Sequence, residues 1–244
     1  MARIRCLSGN MLKLFAALAM TVDHIGVILF PRITILRVIG RFAFPIFAFM
    51  IAQGCHYTRN KVRYFLTVFG VGAVCQLTLF CYNGSLEMNI LITFSLSVLL
   101  IYALQFFKEA LFSSHSNFLQ LYGSLLLLLG GVLGVFVLGT YVDLDYGATG
   151  VMVPLFAALL HPAKKAEGTP LHRLQDPIPE VLVMALGLLI LAIDDGGTQY
   201  YSLLCVPLLC LYSGKRGKYK LKYFFYIFYP AHLLLLQGIA WFLM

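Results

Sequence analysis

The sequence predicts an all-α fold, a polytopic transmembrane bundle of about nine helices built as a single integral-membrane domain over residues 1–244. Three observations predict it. The chain is 61% hydrophobic and only 11% charged, with a mean hydropathy of +0.88, which excludes an ordinary soluble domain and a disordered chain. Its apolar runs reach about 17–25 residues, the length a helix needs to cross hydrocarbon, and are too uniformly apolar to be alternating barrel strands. Short polar breaks separate the runs, and the basic residues collect at every second break.

In order, the runs place helices over 11–30, 35–57, 62–82, 88–107, 118–140, 147–162, 178–194, 197–213 and 221–243. The first is "MLKLFAALAMTVDHIGVILF". Its "ALA" at residues 17–19 does not make it a cleaved signal peptide, because the apolar run before that triplet is short and broken by Lys13. A hairpin at 31–34 returns the chain through "ILRVIGRFAFPIFAFMIAQG". Turn-forming stretches end later helices: "YNGSLEMN" the third, "DLDYG" the fifth, "HPAKKAEGTPLHRLQDP" the sixth, "DDGG" the seventh and "SGKRGK" the eighth.

A cytoplasmic N-terminus puts fifteen of the eighteen Lys and Arg residues on the cytoplasmic side, including Arg3, Lys108, Lys164, Lys165, Arg173, Lys220 and Lys222. The outer side receives Arg32, Arg37 and Arg41 against Glu87, Asp143, Asp145, Asp194 and Asp195. This is the positive-inside pattern, and it leaves the C-terminus outside. The net charge of +8 is therefore topology, and the expected partner is the lipid bilayer rather than nucleic acid. The six cysteines lack CxxC pairing and metal-type spacing, so they read as small apolar packing residues and no metal is expected.

Against this background the ionisable residues inside the runs stand out, since each costs on the order of 3 kcal/mol near the bilayer centre. His24 lies thirteen residues past Met11, about 20 Å along a helix axis and past the midplane. Lys13 precedes it by eleven residues, about three turns, so Lys13, Ala17, Met20 and His24 form one stripe. On the returning helix Arg41 falls at about the depth of Asp23 and His24, with Arg37 one turn farther out. Adjacent residues on a helix do not face each other, so Asp23 is expected to pair with Arg41 through a bidentate contact, leaving His24 free for chemistry. The last helix repeats the anomaly in "YFFYIFYPAHLLLL": His232 reaches a depth near that of His24, and Pro230 removes a backbone donor and frees a carbonyl beside it.

These segments resemble the TraX family, whose namesake is the F-pilin N-acetylase. The blocks that carry the resemblance are "KLFAALAMTVDHIGVILF", "LRVIGRFAFPIFAFMIAQG" with "YTRN", "QLTLFCYNGSLEMNILITF", "DLDYGATGVMVPLF" and "LLCLYSGKRGKYKLKYFFYIFYPAHLLL". It covers most of the chain and is weakest across 105–140 and 160–195. That family is similar, more remotely, to the wider transmembrane acyltransferases, which share a first-helix basic residue followed by ten residues and a catalytic histidine. Lys13 and His24 match that spacing. The resemblance implies acetyl-CoA as donor and transfer in the bacterial cytoplasmic (inner) membrane. The acceptor it implies is an amine or hydroxyl, in the namesake the amino-terminal amine of processed pilin.

Acyl transfer from a thioester needs a bound donor, a deprotonated nucleophile and stabilisation of the developing oxyanion. His24 is expected to serve as general base or as a transient acyl carrier, because imidazole takes and returns a proton near neutral pH. The donor's phosphates are expected at the cytoplasmic cations Lys13, Arg59, Lys61 and Arg63, with Lys215 and Arg216 behind them. On the outer side Asp143, Asp145, Asp194 and Asp195 offer an acidic rim for a cationic acceptor, with Arg37, Asn89, Tyr146 and Tyr229 as further polar contacts. A secondary transporter is the rival reading, since it too buries ionisable groups at the midplane. It would be built from inverted repeats, however, and no internal repeat is evident here.

Overall fold

The computed structural model describes residues 5–84, 86–113, 117–161, 177–218 and 221–243. Arg3, Lys164, Lys165, Arg173 and Lys220 of the predicted inner charge set lie outside the described residues, as does the side chain of Lys222. The described chain is helical, with isolated single-residue bridges at Leu7–Tyr212 and Met88–Leu144 as its extended pairings. The α-helices are α1 Gly9–Ile28, α2 Thr34–Gly40, α3 Ala43–Tyr57, α4 Lys61–Asn83 and α5 Ile90–Leu111. They continue as α6 Phe118–Gly139, α7 Gly147–Ala158, α8 Pro177–Asp195, α9 Val206–Cys210 and α10 Lys222–Leu243. Among the described residues seven segments are long and apolar enough to cross a membrane, with α2 and α3 counting together as one. The protein is a polytopic helical membrane protein.

Local chemistry explains four of the helix starts. The side chains of Ser8, Asn60, Asn89 and Asn117 accept hydrogen bonds from the first-turn amides of α1, α4, α5 and α6. Each satisfies a donor that hydrocarbon would otherwise leave unpaired.

Two predicted helices differ in form. The span at 35–57 is broken at Arg41 and Phe42, because Pro45 has no N–H for the carbonyl of residue 41 and its ring crowds that carbonyl. The run at 197–213 is not an α-helix. It is a 3-10 segment, Gly197–Cys205, followed by the one-turn α9. A 3-10 helix rises about 2.0 Å per residue against about 1.5 Å for an α-helix, so a short segment covers more depth. Gly196 and Gly197, with φ of 66° and 52°, make the turn into it in a conformation that only glycine adopts cheaply. Apolarity alone does not distinguish these two helix types.

Residue contacts divide the chain into two compact units, Met1–Met50 with Leu188–Met244, and Ile51–Gly187. In the first, α1 packs against α2 and α10, and α2 packs against the 3-10 segment, which also meets α9. The α1–α2 hairpin is close at two glycines: a Cβ on Gly26 would fall 2.8 Å from Leu36 Cβ, and one on Gly40 would collide with the Asp23 side chain. Small residues at a helix crossing are how membrane helices gain van der Waals contact. The segment after α9 closes on the start of α1, where Gly9 N donates to Lys215 O at 2.8 Å and Asn10 N to Arg216 O at 3.0 Å. In the second unit α5 is central and packs against α4, α6 and α7, around a core that includes Leu100, Val135, Leu144, Val151 and Met152. Cys55, Cys75 and Cys205 are buried, as expected of packing residues, whereas Cys6 and Cys81 are exposed.

Candidate functional site

On α1 the stripe from Lys13 to His24 turns inward. Ala17 and Met20 are 3% and 8% exposed, whereas Leu18 on the opposite side is 67% exposed. At its deep end His24 meets His232 of α10. The rings stack with centroids 5.0 Å apart, and His24 Nδ1 lies 2.8 Å from His232 Nε2. His232 is itself buried among aromatics: Phe228 stacks on it at 5.0 Å and Tyr229 meets it edge-on at 5.8 Å.

The hydrogen bonds assign the protons. His232 Nδ1 lies 2.8 Å from the carbonyl oxygen of Phe228, an acceptor, so this nitrogen carries the hydrogen. A neutral imidazole has one donor and one acceptor, which makes His232 Nε2 the acceptor and His24 Nδ1 the donor to it. His24 Nε2 is then the bare nitrogen, and no described residue hydrogen-bonds it. The carbonyl that fixes this order is Phe228's. Pro230 has no N–H to give the carbonyl four residues back, that of Tyr226, so the carbonyl that holds His232 is not the one Pro230 was expected to free.

Asp23 is held by a different arginine from the one expected. Arg37 Nη1 donates to Asp23 Oδ2 at 2.7 Å, while Arg41 Nε donates to Thr198 Oγ1 of the 3-10 segment at 3.2 Å. The cause is local. The residue packed against Asp23 is Gly40, and the break after it leaves Arg41 at the end of α2, within reach of the 3-10 segment. The contact is also not bidentate, since Asp23 Oδ1 is buried without a hydrogen-bond partner. Arg37, expected on the acceptor side, is therefore the guanidinium that neutralises Asp23.

At the other end of the stripe, Lys13 lies within electrostatic range of Arg216. The backbone bonds from Gly9 and Asn10 to Lys215 and Arg216 bring these three cations to one end of the unit. Together they make this end of the unit strongly basic.

The other predicted site residues belong to the second unit. Arg59 and Arg63 are exposed beside the start of α4, and Lys61 lies 4.0 Å from Glu109 and over the Tyr102 ring. Asn89 is fully committed: its side chain caps Leu91 N and donates to Gly72 O and Gln76 Oε1. It is a structural lock between α4 and α5, not the spare polar contact expected. Asp143 and Asp145 are exposed, and their backbones bracket Met88. Tyr146 adopts a left-handed φ of 62° as the N-cap of α7.

This unit also holds a buried polar centre that the apolar runs concealed. Gln53 Nε2 donates to Glu180 Oε2 at 2.7 Å, and His161 Nε2 lies 3.2 Å from the same oxygen. Lys108, expected in an inner loop, is instead buried and donates to the carbonyls of Ala158, Leu159 and His161 at the end of α7. The available signal was position: Gln53, Lys108 and Glu180 each fall within about one and a half turns of a helix end.

The chain matches the family model described as TraX protein over residues 8–240. It is 37% identical to an uncharacterized protein of Rickettsia prowazekii (strain Madrid E) over 44% of this chain and 41% of that protein. It is also 26% identical to the "Probable fimbrial assembly protein FimC, serogroup H1" of Dichelobacter nodosus, over 97% of each chain. No solved structure matches it. A family match that runs from the cap of α1 to the last turns of α10 takes in both halves of the His24–His232 pair, and the chain belongs to the TraX protein family.

Proposed function

We propose that the protein is a membrane-embedded acyltransferase that moves an acetyl group from acetyl-CoA to an amine or hydroxyl acceptor. The observation that carries this reading is the ordered His24–His232 pair, which leaves His24 Nε2 bare in a partly buried site. His24 Nε2 takes the proton that the acceptor loses as its nitrogen or oxygen bonds to the thioester carbonyl carbon. It returns that proton to the thiolate sulfur as the carbon–sulfur bond breaks. A transient acetyl on His24 Nε2 is the covalent variant of the same chemistry. His232 fixes the tautomer and orientation of His24, and Asp23 with Arg37 holds the adjoining turn of α1. Lys13, Lys215 and Arg216 receive the donor's phosphates from the cytoplasm, in an orientation with the N-terminus inside the bacterial inner membrane. The fimbrial assembly name of the Dichelobacter nodosus relative supports a pilus or fimbrial protein, through its amino-terminal amine, as the acceptor class.

The test is to incubate purified protein with acetyl-CoA and follow free thiol release with and without amine acceptors. Acceptor-dependent release that disappears in His24→Ala is the expected result. A secondary transporter has no reason to show it, and its absence across a panel of amines and alcohols would defeat the proposal.

A further inference from the structure

The first unit contains polar atoms that no described residue satisfies. Both amide atoms of Gln199 and the hydroxyl of Ser202 are buried without a hydrogen-bond partner, with the two residues 1% and 0% exposed. They sit three apart on the 3-10 segment, where three residues make one turn, so they share a face. Cys205, also on that face, has its sulfur 3.8 Å from the carbonyl of Phe42, and Thr198 beside Gln199 accepts from Arg41. These contacts set the stripe level with the α2–α3 break. Asp23 Oδ1, next in sequence to His24, is likewise buried and unpartnered.

Three orphaned polar atoms on one short face are costly in hydrocarbon, where each lost partner costs several kcal/mol. An all-apolar 3-10 face would avoid that cost, so the face is built for something that brings its own donors and acceptors. A glutamine side chain is a primary amide: it donates from nitrogen and accepts at oxygen in one plane. Its reciprocal partner is another amide, and Ser202 adds a hydroxyl that either donates or accepts.

We infer that Gln199 and Ser202 form a binding cradle for a secondary amide of a substrate, extending the acyl-transfer reading, on which it rests. Such an amide has two sources, the pantetheine arm of the donor and the peptide bond behind an acceptor's terminal amine. In either case the cradle would orient the chain whose end reaches His24.

The experiment measures binding directly and so does not depend on turnover. Pantetheine and alanyl-alaninamide are titrated by calorimetry against the parent, Gln199→Met and Ser202→Ala in lipid nanodiscs. Propylamine serves as a probe that lacks an amide. Removing unpaired polar atoms from a buried face should leave folding intact or improve it, and the melting temperature checks this. Weakening of about 10-fold or more for pantetheine alone assigns the cradle to the donor. The same loss for the dipeptide alone assigns it to the acceptor, and propylamine binding should be unchanged in both cases. Unchanged affinity for both amide probes, in folded variants, overturns the inference even if the parent transfers acetyl groups. Conversely, amide binding that depends on Gln199 in a parent that transfers nothing would sustain the cradle and reject the acyltransferase reading.

Discussion

His24 Nδ1 and His232 Nε2 lie 2.8 Å apart, and the carbonyl of Phe228 decides which of them carries the shared hydrogen. The two histidines are therefore unequal. His24→Ala should lower acetyl transfer by at least about 100-fold, the scale of general-base loss. His232→Ala should cost about 10-fold by freeing the His24 ring, and His232→Gln, which can still accept from His24 Nδ1, should recover part of that. Single-turnover rates at saturating acetyl-CoA measure all three. If His232→Ala is as damaging as His24→Ala and glutamine gives no recovery, His232 rather than His24 handles the reacting proton.

Asp23 should depend on Arg37 more than on Arg41. Arg37→Ala leaves a largely buried carboxylate without its guanidinium, a change that costs up to about 3 kcal/mol. Arg41→Ala should cost less, since Arg41 hydrogen-bonds Thr198 while Arg37 is the guanidinium bonded to the carboxylate. Thermal unfolding of each variant in the Asp23→Asn background gives the coupling energies, and a larger coupling to Arg41 would refute the assignment. Gly40→Ala should damage the same pair, because its Cβ would collide with Asp23.

The parts that were legible in the sequence are those that hydrophobic length and depth encode. The helix limits at 118–140 and 221–243 fall within a residue of α6 and α10, because long apolar runs bounded by polar turns leave little freedom. The matched depth of His24 and His232 followed from counting residues inward from each membrane face, whereas their direct contact comes from the packing of α1 against α10. The Asp23 partner did not follow, because the break at Arg41 and Phe42 shifts which arginine reaches inward, and counting along an ideal helix misses it. The Gln53–Glu180–His161 centre was hidden for another reason: Gln53 is over a hundred residues from both of its partners, and a single sequence carries no record of which helix ends meet. The 3-10 segment reads as an ordinary apolar run, so its orphaned Gln199 drew no notice.

Donor affinity should follow the cations gathered at the start of α1. Lys13→Ala should weaken acetyl-CoA binding by about 1–3 kcal/mol, as for a charged hydrogen bond, and Lys13→Arg should regain part of it. Arg216→Ala should weaken it too, and the double variant should lose less than the sum, because the two cations act on the same phosphates. Calorimetric titrations at two salt concentrations are informative here, since screening at high salt shrinks every one of these differences if the site is open to water. Parent-like affinity in Lys13→Ala would remove the stripe from Lys13 to His24 as the donor path.

Lys108 offers the sharpest separation of stability from chemistry. Its ammonium donates to three carbonyls, Ala158 O at 3.0 Å, Leu159 O at 2.6 Å and His161 O at 2.9 Å, and so closes the C-terminal end of α7, where the helix dipole favours a cation. Lys108→Met keeps the apolar stem but leaves those carbonyls without a donor, at about 1–3 kcal/mol for each buried group left unsatisfied. Lys108→Arg should not restore it, because a planar guanidinium cannot point three hydrogens at carbonyls that converge on one compact ammonium. Both variants should melt well below the parent and give less folded protein. The fraction that does fold should transfer acetyl groups within about threefold of the parent rate, since the proton transfer is proposed for His24, with His232 orienting it. Size-exclusion recovery after heating reads the first quantity, and thiol release per folded molecule reads the second. Normal thermal stability together with lost transfer would reverse the assignment and bring Lys108 into the catalytic machinery.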